Sequence, residues 1–198
     1  MVKITRERFD PNDSEFSEET RQHHLRRYEF ASMFFGKRYL DICCGQGYGT
    51  ALLKKANPKS DVCGLDIDFE SIYKAKINNI DCSYQVADIT KAFTNEQFDV
   101  ITFFEAIEHL EDEAGANVIN RIYNEVLTPG GVLILSTPRD IQSHDNHYHK
   151  STWSVKRLTE VLGACFPSNT ILGQSWATGE ISNENVELND FYICVSRK

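Results

Sequence analysis

Three features are missing from this sequence of 198 residues. No apolar run approaches the ~20 residues that span a bilayer, and residues 1–13 are charged rather than signal-like. No internal repeat and no linker-like stretch interrupts the chain. We therefore expect one domain over residues 1–198, with no membrane insertion.

Positive charge is also scarce. The chain has 21 Lys and Arg against 29 Asp and Glu, for a formal net charge of −8. Phosphate contacts need clustered Lys and Arg, so a nucleic-acid partner is disfavoured. Arg21, Arg26 and Arg27 are close enough in sequence to leave a local basic patch open.

Paired cysteine motifs are absent as well. None of the six cysteines forms a C-x-x-C pair, and Cys43, Cys63, Cys82 and Cys194 lie in apolar strand-like runs typical of buried thiols. Cys44 lies in a glycine-rich segment, where burial is favoured over reactivity. This cysteine usage predicts a reducing, cytoplasmic location.

Hydrophobic periodicity predicts alternating strands and helices. Such alternation is typical of an α/β fold, with a mostly parallel sheet covered by helices on both faces. Ligands of such folds bind at the carboxyl ends of the strands. The predicted strands are residues 37–42, 62–65, 83–86, 98–103, 132–136, 170–176 and 191–196, and the predicted helices are residues 17–35, 48–56, 69–78, 114–127 and 154–165.

The stretch from Tyr39 to Thr50 is the most informative part of the chain. An apolar strand ends in Asp41 and turns through Gly45, Gly47 and Gly49 into a helix. Glycines let bare backbone approach a ligand, and phosphate or dinucleotide binding is the usual competitor. A carboxylate at Asp41 repels a pyrophosphate but suits a ligand that carries an ammonium group.

The pattern Asp-x-x-x-Gly-x-Gly-x-Gly resembles motif I of class I S-adenosylmethionine methyltransferases. The resemblance implies a Rossmann-like fold with a seven-stranded sheet and S-adenosyl-L-methionine as cofactor. Asp66, 21 positions after Gly45, is expected to bind ribose hydroxyls, since an acidic residue at this place does so in dinucleotide folds. The remaining cofactor contacts that the resemblance implies are Cys43, Ile67, Asp88, Ile89 and Glu105.

Two of these positions carry alternatives. Cys43 stands where relatives usually have a small residue, often Gly or Ala. Asp88 resembles the residue that meets the adenine amino group, with Ile89 against the ring, but Asp also commonly caps helices. Asp68, two positions after Asp66, is expected only to cap the next helix.

A second motif follows the predicted fourth strand. Glu105-x-x-Glu108-His109 resembles the corresponding segment of small-molecule O-methyltransferases such as those of ubiquinone biosynthesis. Glu105 is expected beside the cofactor, and Glu105, Glu108 and His109 could share a helical face. His109 is either a general base or a helix-capping side chain.

The histidine-rich loop 143–149 forms a second polar cluster. We expect it to arch over the methyl donor, so that a hydroxyl acceptor lies between residues 105–109 and 144–149. His109 or His149 would then accept the proton and Glu105 would place the acceptor. No metal ligand is assigned, although imidazole and carboxylate groups from both segments could bind a metal.

Resemblance over nearly the whole chain points to bacterial methyltransferases encoded among surface-polysaccharide genes. It implies a small-molecule or glycan acceptor, methylated on a hydroxyl or amine, and leaves room for a homodimer. The sequence differs from these relatives at His147, where they often have Pro. The segments that carry it are residues 7–11, 24–31, 36–53, 64–68, 104–110, 127–138, and 146–149 with Trp153.

Within the predicted domain, three parts have separate tasks. Residues 1–36 are expected to form a helical lid whose His24, Arg27 and Tyr28 cover the cofactor, with Arg27 facing its carboxylate. The alternative is that this helix only packs on the sheet. Residues 37–137 bind the cofactor, and residues 138–198 supply the acceptor loop and the last strands. Two alternatives stay open: a metal-dependent RNA 2′-O-methyltransferase, which the Glu-x-x-Glu-His and later His pattern also resembles, and a non-catalytic protein that only binds S-adenosylmethionine.

Overall fold

A single eight-stranded sheet organises the structure, a computed structural model that describes residues 16–93, 95–139 and 147–198. The spatial order of the strands is β3-β2-β1-β4-β5-β8-β6-β7. Their bounds are β1 Arg38–Ile42, β2 Asp61–Asp66, β3 Ser83–Val86, β4 Phe98–Phe104, β5 Leu127–Pro138, β6 Ser168–Gln174, β7 Ile181–Ser182 and β8 Phe191–Arg197.

Strands β1 to β5 pair in parallel, and only the last three strands run antiparallel to their neighbours. This is the predicted Rossmann-like arrangement, with one more strand than the seven expected. The additional strand β7 has two residues and pairs with Gly173 and Gln174 of β6. It lies in a polar stretch with no apolar alternation, so pairing with a neighbour alone defines it.

Five α-helices connect or flank the described strands: α1 Glu18–Ser32, α2 Tyr48–Ala56, α3 Phe69–Asn78, α4 Asp112–Arg121 and α5 Val155–Gly163. Three of the helices begin at a side-chain cap. The hydroxyl of Ser17 accepts from the Thr20 backbone N–H, and Asp68 and Ser154 cap α3 and α5 in the same way. The chain leaves α4 through a π turn, Ile122–Val126, that leads directly into β5.

Alternation along β1 decides what each face of the sheet buries. Leu40 and Ile42 face the cluster that contains α4 and α5 side chains such as Ile119 and Leu158. Tyr39 faces the other cluster, formed with α1 and α2. Because side chains of a strand alternate, Asp41 points to the same side as Tyr39, under α1 and α2.

The described helices are all too short or too polar to cross a membrane. The N-terminal segment 7–11 and the loop residues 143–146, including His144, lie outside the described residues.

Candidate functional site

A cavity of about 340 Å³ lies at the carboxyl ends of β1, β2 and β4. This is the place where open parallel sheets bind their ligands. It is lined by His24, Tyr28, Cys43, Cys44, Gly45, Tyr48, Asp66, Ile67, Ala87, Asp88, Ile89, Thr90, Phe104, Glu105, Ala106, His109 and Leu110.

The glycine turn forms the floor of this cavity. Gly45 and Gly47 adopt left-handed backbone conformations with φ of 54° and 80°, which residues with a Cβ rarely adopt. A Cβ on Gly45 would meet nothing within 4 Å, so its backbone faces open space. A Cβ on Gly47 would approach the Tyr84 hydroxyl to 2.6 Å, so this glycine permits packing rather than ligand approach.

Asp66 connects the glycine turn to the end of β2. Its carboxylate accepts hydrogen bonds from the backbone N–H of Gly45 and of Asp68, each at 2.9 Å. The side chain is nearly buried, yet the residue lines the cavity. Ile67 beside it is 63% exposed, which leaves an apolar surface next to a fixed carboxylate.

Asp41 lies beneath the turn rather than in the cavity wall. Its carboxylate accepts hydrogen bonds from the hydroxyls of Thr50 and Thr102, each at 2.8 Å, and of Tyr28 at 3.1 Å. Burial raises the pKa of Asp41 to about 6, against the lowering effect of these hydroxyl donors. Asp41 therefore organises the residues under the site, and its carboxylate is enclosed by protein hydroxyls.

Asp88 and Ile89 form the opposite wall. The Asp88 carboxylate accepts from the backbone N–H and the hydroxyl of Thr90 and pairs with Lys91 at 2.8 Å. These contacts lower the pKa of Asp88 to about 2, the Lys91 hydrogen bond having the largest effect. The side chain thus holds its own turn, as a capping residue does, while the residue lines the cavity.

Glu105 stands at the tip of β4 with a left-handed backbone, φ 47°. Its carboxylate accepts a 2.7 Å hydrogen bond from the Ser136 hydroxyl and lies 3.5 Å from the Arg27 guanidinium. A left-handed conformation is costly for a residue with a Cβ and is maintained by surrounding contacts. Glu105 lines the cavity at this strand end.

Glu108, His109 and His149 form a cluster beside the cavity, and of these three residues only His109 lines it. One potential ligand atom from each lies within 4.8 Å of the others, a spacing that could hold a metal ion. The rings of His109 and His149 meet edge to face with centroids 4.9 Å apart. Glu108 is buried, its carboxylate accepts from the Thr137 hydroxyl, and burial followed by the Glu105 charge raises its pKa well above the usual value.

The backbone of Glu108 also fixes the loop that carries His149. Its carbonyl accepts from the backbone N–H of Lys150 at 2.7 Å and of Ser151 at 3.1 Å. The Ser151 hydroxyl accepts from the indole of Trp153, which is fully buried. The Glu105–His109 motif and the loop that carries His149, about 40 residues apart in sequence, are therefore joined by hydrogen bonds around one short turn.

Helix α1 covers the cavity from the side of the glycine turn. Tyr28 and His24 both line it, and His24 Nδ1 lies 3.2 Å from the Tyr48 hydroxyl. Burial, followed by the charge of Arg27, lowers the pKa of His24 well below its usual value, so its ring is neutral at pH 7.

Arg27 is not in the cavity wall. Its guanidinium is buried over the Phe191 ring and donates to the Gln174 side chain at 2.7 Å. Arg27 is paired with Glu105. A cofactor carboxylate would have to reach past Glu105 to make the expected contact with Arg27.

The predicted site residues thus fall into two groups. Tyr28, Cys43, Gly45, Asp66, Ile67, Asp88, Ile89, Glu105 and His109 line the cavity, whereas Arg27, Asp41, Gly47 and His149 lie behind or beside it. Sequence reasoning missed Tyr48, Ser136 and Thr137. Tyr48 had a usable signal, because it follows the last turn glycine before the helix, but the two hydroxyls had none.

A comparison with protein families gives a direct match. Residues 35–185 match the family described as "Methyltransferase domain". The chain belongs to this methyltransferase family. The class I family predicted from the glycine turn, with S-adenosylmethionine as its cofactor, is thereby confirmed.

Curated relatives agree with this assignment. A protein of Mycolicibacterium smegmatis described as a probable S-adenosylmethionine-dependent methyltransferase is 30% identical over 81% of this chain and 63% of its own length. A ubiquinone biosynthesis O-methyltransferase of Escherichia coli O7:K1 is 30% identical over 55% of this chain and 46% of its own. The chain therefore spans about half to two thirds of the length of these relatives.

Solved structures support the fold. The plantazolicin methyltransferase BpumL, in complex with a pentazolic desmethylPZN analog and SAH, superposes with a TM-score of 0.71 over 94% of this chain and 87% of its own. The sequence identity is 18%, so this likeness concerns the fold alone.

The residues of this chain fit S-adenosylmethionine. The open backbone of Gly45 allows a ligand to approach closely. In the same cavity, the Asp66 carboxylate can accept hydrogen bonds from hydroxyl groups, and the exposed Ile67 offers an apolar surface. These are the contacts that an adenosine with a charged amino-acid tail requires.

Proposed function

We propose that this protein transfers a methyl group from S-adenosylmethionine to a hydroxyl of a small acceptor, a sugar or glycan precursor, with an amine acceptor as the variant of the same reaction. The observation that carries the proposal is that Glu105 and His109 both line the cofactor cavity, while the ring of His149 lies edge to face against that of His109. Acidic and imidazole groups beside a methyl donor suit an acceptor that must be oriented and deprotonated.

The cofactor would be held by the cavity wall. Gly45 and Cys43 would contact its amino-acid part, Asp66 its ribose, and Ile67, Asp88 and Ile89 its adenine. Bound there, S-adenosylmethionine supplies an electrophilic methyl group on a positively charged sulfur. Asp41 would hold the side chains of Tyr28 and Thr50 in place around the turn. Its effect on the ammonium group of the cofactor would therefore be indirect, through the position of the turn.

The acceptor would lie between residues 105–109 and the loop that ends at His149. His109 or His149 would take the hydroxyl proton, and Glu105, held by Ser136 and Arg27, would accept a hydrogen bond from a second acceptor hydroxyl. A sugar offers such neighbouring hydroxyls. The E. coli relative is named an O-methyltransferase, which supports a hydroxyl as the methylated group.

A screen of labelled S-adenosylmethionine against nucleotide sugars, lipid-linked glycans and quinols tests the acceptor class. With an active acceptor, His109→Ala and His149→Ala should turn over about 10²–10⁴-fold more slowly, the usual loss of a general base. Calorimetric titration with S-adenosylhomocysteine should show unchanged cofactor binding.

His147→Ala is the matched control, since His147 is exposed in the same loop. It should keep wild-type activity. If His109→Ala and His149→Ala also kept it, positioning alone would account for catalysis. No cofactor binding at millimolar S-adenosylhomocysteine would refute the assignment of the cavity, and Asp66→Ala should weaken binding by ~1–3 kcal/mol.

Helix α1 would act as the lid of the cofactor, because Tyr28 and His24 line the cavity from above the glycine turn. Removing residues 1–30 should then lower cofactor affinity. Soluble truncated protein with unchanged affinity would show that α1 only packs on the sheet. The six free cysteines suit a reducing compartment, and we place the reaction in the cytoplasm.

A second candidate is a metal-dependent 2′-O-methyltransferase of RNA. The specific observation in its favour is the cluster of Glu108, His109 and His149, whose carboxylate and imidazoles suit Mn²⁺ or Co²⁺. The net charge of −8 weighs against the RNA acceptor.

Calorimetric titration with Mn²⁺ separates the two candidates. The metal-dependent enzyme would bind Mn²⁺, lose binding in Glu108→Gln and lose activity with chelator. The proposed acid–base enzyme would methylate its acceptor undiminished in the presence of chelator, and short RNAs would remain unmethylated.

A further inference from the structure

Three aromatic side chains form one continuous wall of the cofactor cavity. Tyr48 meets Tyr28 edge to face with ring centroids 5.4 Å apart, and Tyr28 meets Phe104 in the same way at 5.1 Å. All three residues line the cavity. We call this set, Tyr28, Tyr48 and Phe104, the aromatic wall.

Hydrogen bonds at the polar ends of the two tyrosines fix the wall in place. The Tyr28 hydroxyl donates to the Asp41 carboxylate at 3.1 Å, and the Tyr48 hydroxyl lies 3.2 Å from Nδ1 of His24. Tyr28 and Phe104 are buried, whereas Tyr48 is only half-buried. Tyr48 is therefore the member of the wall that a ligand in the cavity can contact most extensively.

The charges around Tyr48 favour a cation beside it. Burial, followed by the Asp41 charge, raises the pKa of the Tyr48 phenol well above its usual value. The Arg27 charge opposes this rise and the Glu105 charge adds to it. The ring of His24 is neutral at pH 7 and adds no positive charge. Two carboxylates against one guanidinium leave a negative balance at this end of the cavity.

Aromatic rings attract cations directly. A cation within about 6 Å of a ring centroid is stabilised by the quadrupole of the ring, and the attraction increases where water is excluded. S-adenosylmethionine carries a positive charge on its sulfur. S-adenosylhomocysteine, the product of methyl transfer, is neutral at sulfur and keeps the same ammonium group. The sulfur charge is therefore the electrostatic difference between donor and product that an aromatic wall can recognise.

The wall also extends between the two parts of the site that the sulfur must connect. Tyr48 begins α2 directly after the glycine turn, where the amino-acid part of the cofactor is assigned. Phe104 ends β4 and precedes Glu105, which is assigned to the acceptor. The sulfur joins the amino-acid part to the adenosine and presents the methyl group to the acceptor, so its place is between these two ends.

We propose that the aromatic wall recognises the positively charged sulfur of S-adenosylmethionine, and that Tyr48 is the residue that distinguishes the methyl donor from its neutral product. The proposal rests on the cofactor assignment within the proposed function and is independent of the acceptor. Such recognition favours the replacement of spent cofactor by fresh donor.

Calorimetric titration of the full chain with each ligand tests this without any acceptor. Tyr48→Leu removes the ring and should raise the dissociation constant of S-adenosylmethionine about tenfold relative to that of S-adenosylhomocysteine, the scale of a desolvated cation–ring contact. Tyr48→Phe keeps the ring and removes only the hydroxyl. It should keep the wild-type ratio of the two dissociation constants.

Ile67→Ala is the matched control, because Ile67 lines the same cavity and is assigned to the adenine, which both ligands share. It should change both dissociation constants by the same factor. Tyr48→Met supplies a second side chain without a ring, flexible enough to fill the space that is left, and should repeat the result of Tyr48→Leu. Binding of S-adenosylhomocysteine shows in each variant that the cavity is intact.

An equal loss of affinity for both ligands in Tyr48→Leu and Tyr48→Met would overturn the proposal and make Tyr48 a packing residue. A tenfold change of the ratio in Tyr48→Phe would also overturn it, because the hydroxyl rather than the ring would then be selective. Both results would leave the cofactor assignment standing. A wild-type protein that binds neither ligand at millimolar concentration would refute that assignment, and the role of the wall with it.

Discussion

At the scale of single residues, Asp41 and Cys43 hold the floor of the cavity in a fixed geometry at a cost in stability. Asp41 is fully buried and yet ionisable, with three hydroxyls donating to it. Cys43 is exposed rather than buried as predicted, because it lies in the turn after β1, and its backbone there is left-handed, which is unfavourable for a residue with a Cβ. Each position makes a measurable prediction about folding.

Asp41 should make stability depend on pH. Its pKa rises from 3.8 to about 6 on folding because of burial, so the folded state holds the proton more tightly than the unfolded state. This contribution is fully present below pH 3.8 and is lost as pH rises through 6. This rise in the pKa of Asp41 corresponds to about 3 kcal/mol.

Urea denaturation of wild type and Asp41→Asn between pH 4 and 8 measures this contribution. The variant should lose less stability than wild type as pH rises, and should be the more stable protein at neutral pH. Asp61→Asn, at the exposed start of β2, is the control and should follow the wild type. Parallel curves for all three proteins would show that the Asp41 proton does not matter to folding.

Cys43→Gly should stabilise the protein. The left-handed backbone costs a residue with a Cβ about 1–2 kcal/mol, and the greater chain entropy of glycine returns about 0.5–1 kcal/mol of this. We expect a net gain of about 0.5–1 kcal/mol in the free energy of unfolding by chemical denaturation. Cys43→Ser keeps the Cβ and should show no gain, and equal stability of both variants would contradict the strain argument.

At the scale of secondary-structure elements, the contact between α1 and α2 depends on one missing side chain. A Cβ on Gly49 would lie 1.9 Å from Cζ of Tyr28. Tyr28 also packs edge-on against Tyr48 and Phe104, so its ring has no free direction in which to move. The glycine therefore sets how close the two helices approach.

Gly49→Ala should displace α1. We expect a loss of about 1–3 kcal/mol of stability, as in overpacked cores, and weaker cofactor binding, since Tyr28 and His24 line the cavity. Gly163→Ala is the control, because a Cβ there meets nothing within 4 Å. Unchanged calorimetric affinity in Gly49→Ala would separate the position of α1 from the cofactor site.

At the scale of the whole molecule, Gln174 joins the two ends of the described chain. Its carbonyl oxygen accepts from Arg27 Nε at 2.7 Å, and its amide donates to the His23 and Gly179 carbonyls. The side chain is completely buried. It links α1 to the C-terminal strands and so holds Arg27 beside Glu105.

Gln174→Ala should destabilise the protein by roughly 2–4 kcal/mol, because it removes an acceptor from a buried guanidinium. Amide hydrogen exchange in α1 should accelerate more than exchange in β1 and β4. Gln174→Glu keeps the acceptor and should recover part of the stability. Uniform acceleration throughout the sheet would show that Gln174 supports the core rather than the attachment of α1.

The sequence by itself determined those features that depend on residues close to one another in the chain. The bounds of α2, α3 and β3 coincide with the prediction, since caps, turn glycines and apolar periodicity act within a few residues. Motif I gave the fold and the family for the same reason: the glycine turn needs only neighbouring residues to define its shape.

Only the tertiary structure decided what those residues contact. The enclosure of Asp41 by Tyr28 and Thr102, and the burial of Arg27 against Gln174, join positions 13 to 147 residues apart. Hydroxyl and amide groups give no periodic signal, so nothing in the sequence marks them as partners. Packing brings them together, because a buried charge must find hydrogen-bond partners wherever the folded chain supplies them.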